Sequence, residues 1–456
     1  MPRISKVLVA NRGEIAVRVI RAAGELGIAT VAVASEADVD AEHTRMANEH
    51  VVIGLAPAGR SYLNVDAVMK AAKQTGADAI HPGYGLLSER ASFVDRVEHE
   101  GLIFVGPSSD AIRLMGDKVA ARVTAQEAGV PTVPGSDGAI DDPEEAVAVA
   151  EQLGFPVAIK ASAGGGGRGI LIIQNADEMR AQLMKVRAEA LEAFGSDAVY
   201  IERFVQPARH IEVQVFGDGE HFVHLGEREC SVQRRRQKLI EEAPAPGLPA
   251  EIRAAMAEAA VRLAAAVSYR GAGTVEFLYD GAREEFYFIE MNTRIQVEHP
   301  VTEVVTGHDL VREQLLVAGG EPLSFTQQDV AFRGHAIEFR INAEDPDNGF
   351  MPSPGHLDEF QLPDGPFVRV DAGYRSGGDV SPFYDSLLAK VIVSGRNRDE
   401  TLARSARALS ELKVKGIKTT APLFRALIGE AEFRDGSYDT AFLERWMTSN
   451  QPGKTG

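Results

Sequence analysis

Cysteine, long apolar runs and positive charge are all scarce in this chain of 456 residues. Its one cysteine, Cys230, permits no internal disulfide and no cysteine-rich metal site, which suits a reducing compartment and predicts a buried structural thiol. No segment reaches the roughly 18 apolar residues that a membrane span needs, so a cytoplasmic protein without membrane contact is expected. The formal net charge of -18 argues against a nucleic-acid partner, because nucleic-acid binders usually carry a basic stripe.

Helix and strand patterns alternate along most of the chain, which predicts several domains of α/β and α+β type. At 45% hydrophobic content the chain can bury several cores, and about three domains are expected at roughly 150 residues each. A strand, a turn, a helix and a second strand over residues 7–34 open a parallel α/β domain. The predicted divisions are an N-terminal α/β domain at 1–115, a linker helix with a lid-sized domain at 116–204, a third block at 205–331, a β-rich block at 332–447 and a polar tail at 448–456.

Polar residues alternate along the segment E-M-N-T-R-I-Q-V-E, at residues 290–298. In an extended strand successive side chains point to opposite faces, so the polar ones are expected to share one face. That face would carry Glu290, Asn292, Arg294, Gln296 and Glu298. Interchangeable polar residues are sufficient for a solvated strand, whereas this order of two carboxylates, two amides and a guanidinium is specific. The segment is therefore predicted to be a functional site.

A hairpin predicted at residues 273–290 leads into this segment. If its turn is centred near Arg283, Glu276 and Glu290 lie opposite each other on neighbouring strands. Two carboxylates so placed repel each other unless a cation lies between them. The pair therefore predicts a Mg²⁺ (or Mn²⁺) site, and Asn292 follows on the same face.

A glycine run at residues 164–169, G-G-G-G-R-G, follows a predicted strand that carries Lys160. Glycines allow the backbone to close on a phosphate, although a structural loop would have the same composition. A protein kinase does not fit, because its glycine loop precedes the strand lysine and the chain has neither H-R-D nor D-F-G. A dinucleotide-binding fold would place the glycines in the first β-α-β unit, and the G-K-T at 453–455 lacks the earlier glycine of a P-loop.

Three further features leave a ligand role and a structural role both open. The basic segment Q-R-R-R-Q-K at 233–238 indicates contact with a small anion or a nucleotide, or else a solvated turn. The segment H-P-G-Y-G at 81–85 follows a strand end, where α/β proteins place ligand contacts, but tight turns also use proline and glycine. His210 precedes a strand without metal-ligand spacing to another histidine, so it is either a core histidine or a ligand.

Together these motifs resemble those of biotin carboxylases, which are ATP-grasp enzymes, over essentially the whole chain. The matching segments are, in order, VLVANRGEIAVRVIRAA, HPGYGLLSE, MGDK, IKASAGGGGRG, QKLIEEAPAP, GTVEF, FIEMNTRIQVEHPVTE, EFRINAEDP, YDSLLAK and GIKT. The resemblance implies an N-terminal parallel α/β domain, a small lid domain, an ATP-grasp cleft and a β-rich C-terminal domain. The implied reaction is the ATP-dependent carboxylation of biotin by bicarbonate through carboxyphosphate, with Mg²⁺ as cofactor.

The resemblance also implies roles for individual residues by matching position. The residues implied to bind ATP are Lys118, Lys160, Gly165, Gly166, Glu202, His210, Gln233 and Arg236. Those implied to hold the metal are Glu276, Glu290 and Asn292. Those implied to hold bicarbonate are Lys238, Arg294, Gln296 and Val297, with Glu298 as the base that deprotonates it. Those implied to face biotin are Tyr84 and Arg340, with Arg340 stabilising the enolate.

Two positions depart from the family pattern. Arg236 stands where the free-standing bacterial form has a histidine near the nucleotide, and Ala163 replaces a glycine at the start of the loop. The first change concerns how the ribose or the phosphates are contacted, and the second could stiffen the lid. Neither change touches the predicted bicarbonate face.

Biotin is expected to arrive from another protein or domain, because the chain lacks the Met-Lys-Met tip of a carrier. The implied partners are a biotin carboxyl carrier and carboxyltransferase subunits, and a homodimer is expected. Acetyl-CoA is the expected final acceptor, with propionyl-CoA, another acyl-CoA or pyruvate as alternatives. Two other function classes compete: an ATP-grasp ligase that uses ammonia or an amino acid, and a catalytically silent nucleotide-binding regulator. The first would not need Tyr84, Arg340 and Glu298, and the second would tolerate the loss of Glu298.

Overall fold

The structure is a computed structural model that describes residues 4–161 and 170–450. The glycine run, with Gly165, Gly166 and the neighbouring Ala163, lies outside the described residues. Contacts between Cα atoms divide the chain into two compact units. The first unit comprises Met1–Val130, Arg209–Phe277 and Glu290–Gly456, and the second comprises Pro131–Ala208 and Leu278–Ile289. The finer division predicted at residues 115, 204, 331 and 447 stays a prediction.

The N-terminal part of the first unit is a five-stranded parallel sheet with helices, in the strand order β3-β2-β1-β4-β5. The predicted parallel α/β fold is thus confirmed. Strands β1, β2 and β4 are largely buried, as expected where helices cover both faces of a parallel sheet, whereas the edge strand β3 is largely exposed. Its elements are β1 (Lys6–Val9), α1 (Gly13–Glu25), β2 (Ala29–Ser35), α2 (Glu42–Met46), β3 (Glu49–Gly54), α3 (Val65–Thr75), β4 (Ala79–His81), α4 (Ala91–His99), β5 (Ile103–Phe104), α5 (Ser109–Gly116) and α6 (Lys118–Glu127).

The second unit is built on a three-stranded antiparallel sheet in the order β7-β6-β8. Its elements are α7 (Pro143–Leu153), β6 (Val157–Ala161), β7 (Ile170–Ile173), α8 (Ala176–Phe194) and β8 (Val199–Arg203). Alternate residues of β6 separate a core face from a polar one, since Ile159 packs in the apolar core while Lys160 remains partly exposed. The chain enters this unit between Val130 and Pro131, within the Pro/Gly-rich stretch at 130–135.

An eight-stranded sheet, in the order β13-β12-β9-β10-β11-β14-β21-β19, runs through both of the blocks predicted at 205–331 and 332–447. Strands β11 and β14 join the two blocks as antiparallel neighbours, with Ile240 opposite Phe339. The elements of the first block are β9 (Arg209–Asp218), β10 (Phe222–Arg234), β11 (Gln237–Ala243), α9 (Ala250–Ala266), β12 (Arg270–Asp280), β13 (Glu285–Asn292), α10 (His299–Thr306) and α11 (Leu310–Ala318).

The last part of the chain completes this sheet and packs helices against it around an apolar core that includes Phe339 and Phe424. Its strands are β14 (His335–Asn342), β15 (Glu344–Asp345), β16 (Met351–Pro352), β17 (Gly355–His356), β18 (Glu359–Gln361), β19 (Val368–Ala372), β20 (Asp379–Val380), β21 (Leu387–Gly395) and β22 (Lys413–Lys415). Its helices are α12 (Arg398–Glu411), α13 (Ala421–Leu427), α14 (Ala431–Asp435) and α15 (Phe442–Ser449). Among the described helices, none is long and apolar enough to cross a membrane.

The prediction that residues 290–298 form one extended segment is only partly correct. Strand β13 ends at Asn292, and residues 293–298 form irregular turns that lead into α10. Pro300 lies in the first turn of α10, where a residue without an N–H is well tolerated, and the chain leaves the sheet to enter this helix. The polar side chains of the segment are therefore brought together by hydrogen bonds to buried charged groups, not by strand alternation alone.

Candidate active site

Lys238 lies near the start of β11, directly after the tight turn that joins β10 to β11. The turn residues Arg235 and Arg236 both have left-handed backbone conformations, with φ of 47° and 69°. Their side chains are exposed, whereas Lys238 two residues later is buried and pairs in register with the half-buried Gln233. The basic segment thus divides into a solvated turn and one buried lysine.

The Lys238 ammonium donates hydrogen bonds to three buried carboxylates. The distances from Nζ are 2.5 Å to Oε2 of Glu212, 2.8 Å to Oε1 of Glu276 and 2.7 Å to Oε1 of Glu298. Burial alone would lower the pKa of Lys238, but the three carboxylates raise it well above its ordinary value. Lys238 is therefore a permanent cation shared between three anions.

Glu276 has polar partners at both of its oxygens. Its Oε1 accepts from Asn292 Nδ2 and from Gln296 Nε2, each at 2.9 Å, and its Oε2 lies 2.9 Å from Nε2 of His210. Burial lowers the pKa of His210, but Glu276 raises it, and the net shift is upward. His210, whose role the sequence leaves open, is thus a buried partner of a predicted metal-binding carboxylate.

The metal residues predicted from the hairpin lie close enough to affect one another. Glu290 is exposed at the surface of β13, but partial desolvation by neighbouring groups raises its pKa and the charge of Glu276 raises it further, while Lys118 and Lys238 act in the opposite direction. Lys118 begins α6, because Asp117 caps that helix by accepting from the N–H groups of the two residues after Lys118.

The donor set at this point fits Mg²⁺, which prefers carboxylate and amide oxygens. A divalent cation would relieve the mutual repulsion between Glu276 and Glu290, and Asn292 has its amide beside Glu276. One ligand atom each from His210, Glu212 and Glu276 lies within 4.8 Å of the others, so more than one set of donors converges here. A metal ion would replace some of the donors that now contact Glu276.

Glu298 lies between two cations. Its Oε1 accepts from Lys238, and its Oε2 accepts from Arg340 Nη2 at 2.9 Å. Arg340 also lies 2.5 Å from Oε1 of Glu241. Burial would raise the pKa of Glu298, but Lys238, Arg340 and Arg228 hold it well below its ordinary value. The carboxylate is therefore ionised at neutral pH.

Arg294 is held by three oxygen acceptors, one of which is the carbonyl of Ile295, 3.3 Å from Nη1. Its Nε donates to Oε2 of Glu89 and its Nη2 donates to Oδ1 of Asn292, both at 2.8 Å. Sequence reasoning did not single out Glu89, although it lies in the segment H-P-G-Y-G-L-L-S-E. Glu89 lies four residues after Gly85, and this position gave no sign that its partner would be Arg294, some 200 positions away in sequence.

Arg228 is a second residue that sequence reasoning missed. Its side chain is fully buried on β10, and its Nη2 donates to Oε1 of Gln296 at 2.9 Å. The other acceptors of its guanidinium are side-chain oxygens of Glu212, Gln214, Thr274 and Thr302. Arginine is usually exposed, so an arginine within a strand is expected to face solvent and its burial could not be predicted from the sequence.

Tyr84 lies in a turn that is fixed by Asn11. The Asn11 side-chain amide donates to the carbonyls of Pro82 and Tyr84, at 2.7 and 2.8 Å. Gly83 has a φ of 62°, and a Cβ there would lie 2.8 Å from the Asn11 amide nitrogen, so glycine is required. The Tyr84 hydroxyl donates to Oε1 of Glu14. The turn therefore presents Tyr84 in one orientation.

Two of the predicted nucleotide-binding residues, Lys160 and Glu202, form an ion pair in the second unit. Lys160 on β6 donates through Nζ to Oε2 of Glu202 on β8. Glu202 is buried, whereas Lys160 is partly exposed. The pair presents a cation on the polar face of the sheet.

Cys230 confirms the expectation of a buried thiol. Its side chain is fully buried on β10. Burial and the nearby Glu212 raise the pKa of the thiol well above its ordinary value, so Cys230 is not activated as a nucleophile.

The parallel sheet, the second unit and the eight-stranded sheet with this charged site are the architecture of an ATP-grasp enzyme. Three family models match in chain order. "Biotin carboxylase, N-terminal domain" matches residues 3–112, "Carbamoyl-phosphate synthase L chain, ATP binding domain" matches 117–326, and "Biotin carboxylase C-terminal domain" matches 338–445.

Relatives and a solved structure agree with these matches. Biotin carboxylase 1 of Bacillus subtilis is 54% identical over 97% of this chain and 99% of its own length. A pyruvate carboxylase subunit of Methanothermobacter thermautotrophicus is 49% identical over 97% of this chain and 90% of its own. The biotin carboxylase domain dimer of Hydrogenobacter thermophilus 2-oxoglutarate carboxylase, solved with MgADP, ADP and bicarbonate, is 47% identical with a TM-score of 0.88, over 97% of each chain.

The chain therefore belongs to the biotin carboxylase family. It is an ATP-dependent ligase that carboxylates biotin. The resemblance noted in the sequence is confirmed, and a different ATP-grasp ligase or a silent regulator no longer accounts for the chain.

Proposed function

We propose that this chain carboxylates biotin carried on a separate carrier protein or domain, as the first half-reaction of an acetyl-CoA carboxylase, using the site centred on Lys238. The observation that supports this proposal most strongly is the position of Glu298 between Lys238 and Arg340. An ionised, buried carboxylate between two cations suits the deprotonation of one small oxyanion that the same cations attract.

Bicarbonate binding is assigned to Lys238, Arg294, Gln296 and Val297. Two of these are cations, and they compensate the charge of the anion after Glu298 has taken its proton. An oxygen of bicarbonate then attacks the γ-phosphorus of ATP, the bond from that phosphorus to the bridging oxygen breaks, and carboxyphosphate and ADP form. Bicarbonate competes with the carboxylates for Lys238, since all three of those hydrogen bonds are made in the structure.

ATP binding is assigned to the residues implied by matching position, which are Lys118, Lys160, Gly165, Gly166, Glu202, His210, Gln233 and Arg236. Glu276, Glu290 and Asn292 would hold Mg²⁺, which when bound offsets the charge of the phosphates. Positioning and charge compensation are what phosphoryl transfer requires of a protein.

Biotin is assigned to the surface of Tyr84 and Arg340. Carboxyphosphate releases CO₂ and phosphate, phosphate accepts the proton of the ureido nitrogen, and the nitrogen forms a bond to the carbon of CO₂. Negative charge develops on the ureido oxygen in this step, and the Arg340 guanidinium stabilises it. The ion pair of Arg340 with Glu298 supports the assignment of the two half-steps to neighbouring positions.

We further propose an acceptor, partners and a location for this reaction. The relatives include a biotin carboxylase and part of a pyruvate carboxylase at similar identity, so similarity alone does not separate their acceptors. We assign acetyl-CoA as the acceptor, a biotin carboxyl carrier and carboxyltransferase subunits as partners, a homodimer as the assembly and the cytoplasm as the location. A mixture of this chain, its biotinylated carrier and its carboxyltransferase should incorporate carbon from labelled bicarbonate as a carboxyl group into acetyl-CoA faster than into propionyl-CoA or pyruvate.

The reaction is tested by ADP formation with each substrate omitted in turn. The proposal predicts ATP hydrolysis that depends on bicarbonate and increases with free biotin. ADP formation that depends on ammonia or an amino acid, with no effect of biotin, would overturn it.

A further inference from the structure

A buried lysine outside the assigned residues links the proposed bicarbonate and biotin positions. Lys390 lies on β21 and is fully buried. Its Nζ donates to the carbonyl oxygen of Val297 at 2.9 Å and lies 3.1 Å from Oε2 of Glu14. Oε1 of Glu14 accepts from the Tyr84 hydroxyl. A continuous chain of contacts therefore runs from Tyr84 through Glu14 and Lys390 to Val297.

The contact with Val297 restrains more than one carbonyl. A peptide group is planar, so an ammonium that fixes the Val297 carbonyl also fixes the N–H and the Cα direction of Glu298, the next residue. Residues 293–298 lack the ladder hydrogen bonds of a strand, because β13 ends at Asn292. The segment that carries the proposed base thus depends on side-chain contacts for its conformation.

The charges around Lys390 keep it cationic. Burial lowers the pKa of Lys390, whereas Glu14, Glu338 and Asp371 raise it, and the net shift is upward. Arg369 acts in the opposite direction to these carboxylates. A buried ammonium with a carboxylate partner and one carbonyl partner makes a charge-assisted hydrogen bond, which is stronger than a neutral one.

We infer that Lys390 and Glu14 are positioning residues that hold the Val297 peptide in its bicarbonate-binding orientation and couple it to Tyr84 on the biotin side. The inference rests on the proposed assignment of Val297 to bicarbonate and Tyr84 to biotin. Neither Lys390 nor Glu14 needs to touch a substrate. Their effect is exerted through the Val297–Glu298 peptide and through the Tyr84 hydroxyl.

The direct test is Lys390→Met, measured as ATP hydrolysis in the absence of biotin. The variant is expected to raise the KM for bicarbonate by roughly ten-fold or more, the effect of losing one hydrogen bond to a charged group, while the KM for ATP stays within about two-fold. Lys415→Met is the matched control, because Lys415 is an exposed lysine on β22 that pairs with Glu359. An unchanged KM for bicarbonate, with only a lower melting temperature, would show that Lys390 is merely structural and would overturn the inference.

Glu14→Gln tests the same inference without removing the cation, and it carries the test if Lys390→Met does not fold. Glutamine keeps the volume and an acceptor for Tyr84 but loses the charge that faces Lys390. It is expected to raise the KM for both bicarbonate and biotin, and changes confined to stability would contradict the inference. If ATP hydrolysis by the unmodified protein did not depend on bicarbonate, the proposed function itself would be refuted.

The coupling is tested with Tyr84→Phe and the double variant Tyr84→Phe/Lys390→Met, using free biotin as the probe. If the chain of contacts couples the two positions, the double variant should raise the KM for biotin by less than the product of the single effects. Effects that multiply would show that Tyr84 and Lys390 act independently and would overturn the coupling.

Discussion

Arg340 donates through Nη2 to Oε2 of Glu298 at 2.9 Å, so the proposed enolate-stabilising cation and the proposed base form one buried ion pair. Glu298 is bound on its other oxygen by Lys238. The proposed base is thus stabilised as a carboxylate by the same cations that are proposed to attract its substrate. Bicarbonate bound there would compete for these contacts, so the proton affinity of Glu298 would depend on what occupies the site.

The ion pair predicts a shift in the pH profile of the Arg340→Gln variant. Removing a cation disfavours the ionised form of Glu298, so the pKa of Glu298 should rise from its depressed value. As the pH falls, Glu298 should then become protonated at a higher pH in the variant than in the unmodified protein. The acid limb of bicarbonate-dependent ADP formation, measured without biotin, is therefore expected to move to higher pH. Arg396→Gln serves as the control, since the Arg396 side chain is 89% exposed. Superimposable acid limbs would contradict the coupling of Arg340 to Glu298.

Arg228 predicts a large loss of stability. Changing Arg228→Met leaves Glu212 without one of its two cations and several buried acceptors without a donor. Breaking such a buried pair typically costs about 3–5 kcal/mol, so the urea midpoint of unfolding should fall strongly. Arg396→Met, a matched change at an exposed site, is expected to cost less than about 1 kcal/mol. Similar midpoints for the two variants would show that Arg228 is not the centre of the network.

Sequence patterns predicted the local elements of this chain better than the contacts of the site. The strand of residues 7–10, the helix after it and the hairpin at 273–290 follow from apolar periodicity and turn residues, which act over short distances. The end of β13 at Asn292 was missed, because the alternation of residues 290–298 continues past the point where the chain turns into α10.

The partners within the site could not be read from local patterns. Lys238 contacts carboxylates that lie 26, 38 and 60 positions away in sequence, and Arg294 contacts Glu89 across 205 positions. The buried Lys390 sits in the segment Y-D-S-L-L-A-K, yet its contact with Val297 depends on how β21 packs in the first unit. Residue types indicated which chemistry is present, whereas the fold decides which groups meet.

Arg236 predicts a small effect on ATP binding. Its side chain is exposed and its backbone has a left-handed conformation that histidine also tolerates, so Arg236→His should not disturb the turn. An exposed charge contact is worth about 0–1 kcal/mol, so the KM for ATP should change by only a few-fold and the KM for bicarbonate should stay constant. Arg235→His at the neighbouring turn position is the control. A larger effect confined to bicarbonate would mean that Arg236 is assigned to the wrong substrate.

Glu242 predicts how stability depends on pH. Burial raises the pKa of this carboxyl group, but hydrogen bonds from His335 and Arg398 lower it to about 2. Because the pKa of Glu242 is lower in the folded state than its value of about 4.5 in the unfolded state, the ionised carboxylate stabilises the folded protein by about 3 kcal/mol. This contribution is fully present above pH 4.5 and is lost as the pH falls towards 2. Glu242→Gln should therefore lower the melting temperature at neutral pH.

The difference between the Glu242→Gln protein and the unmodified protein should shrink below pH 4. Glu220→Gln, an exposed change, should leave the pH dependence unaltered. A constant difference in melting temperature from pH 7 to the acid range would contradict the role of the ionised Glu242.

Biotin carboxylation by the Glu298→Gln protein tests the central claim most directly. Glutamine keeps the shape of the side chain and removes the base, so carboxylation of free biotin should fall by roughly 10²–10⁴-fold while the KM for MgATP stays nearly unchanged. Glu220→Gln should retain full activity, and the melting temperature should show that the Glu298→Gln protein is folded. Near-normal carboxylation by Glu298→Gln would contradict the claim that Glu298 is the base, and a collapse of ATP affinity would place the residue in the metal site instead.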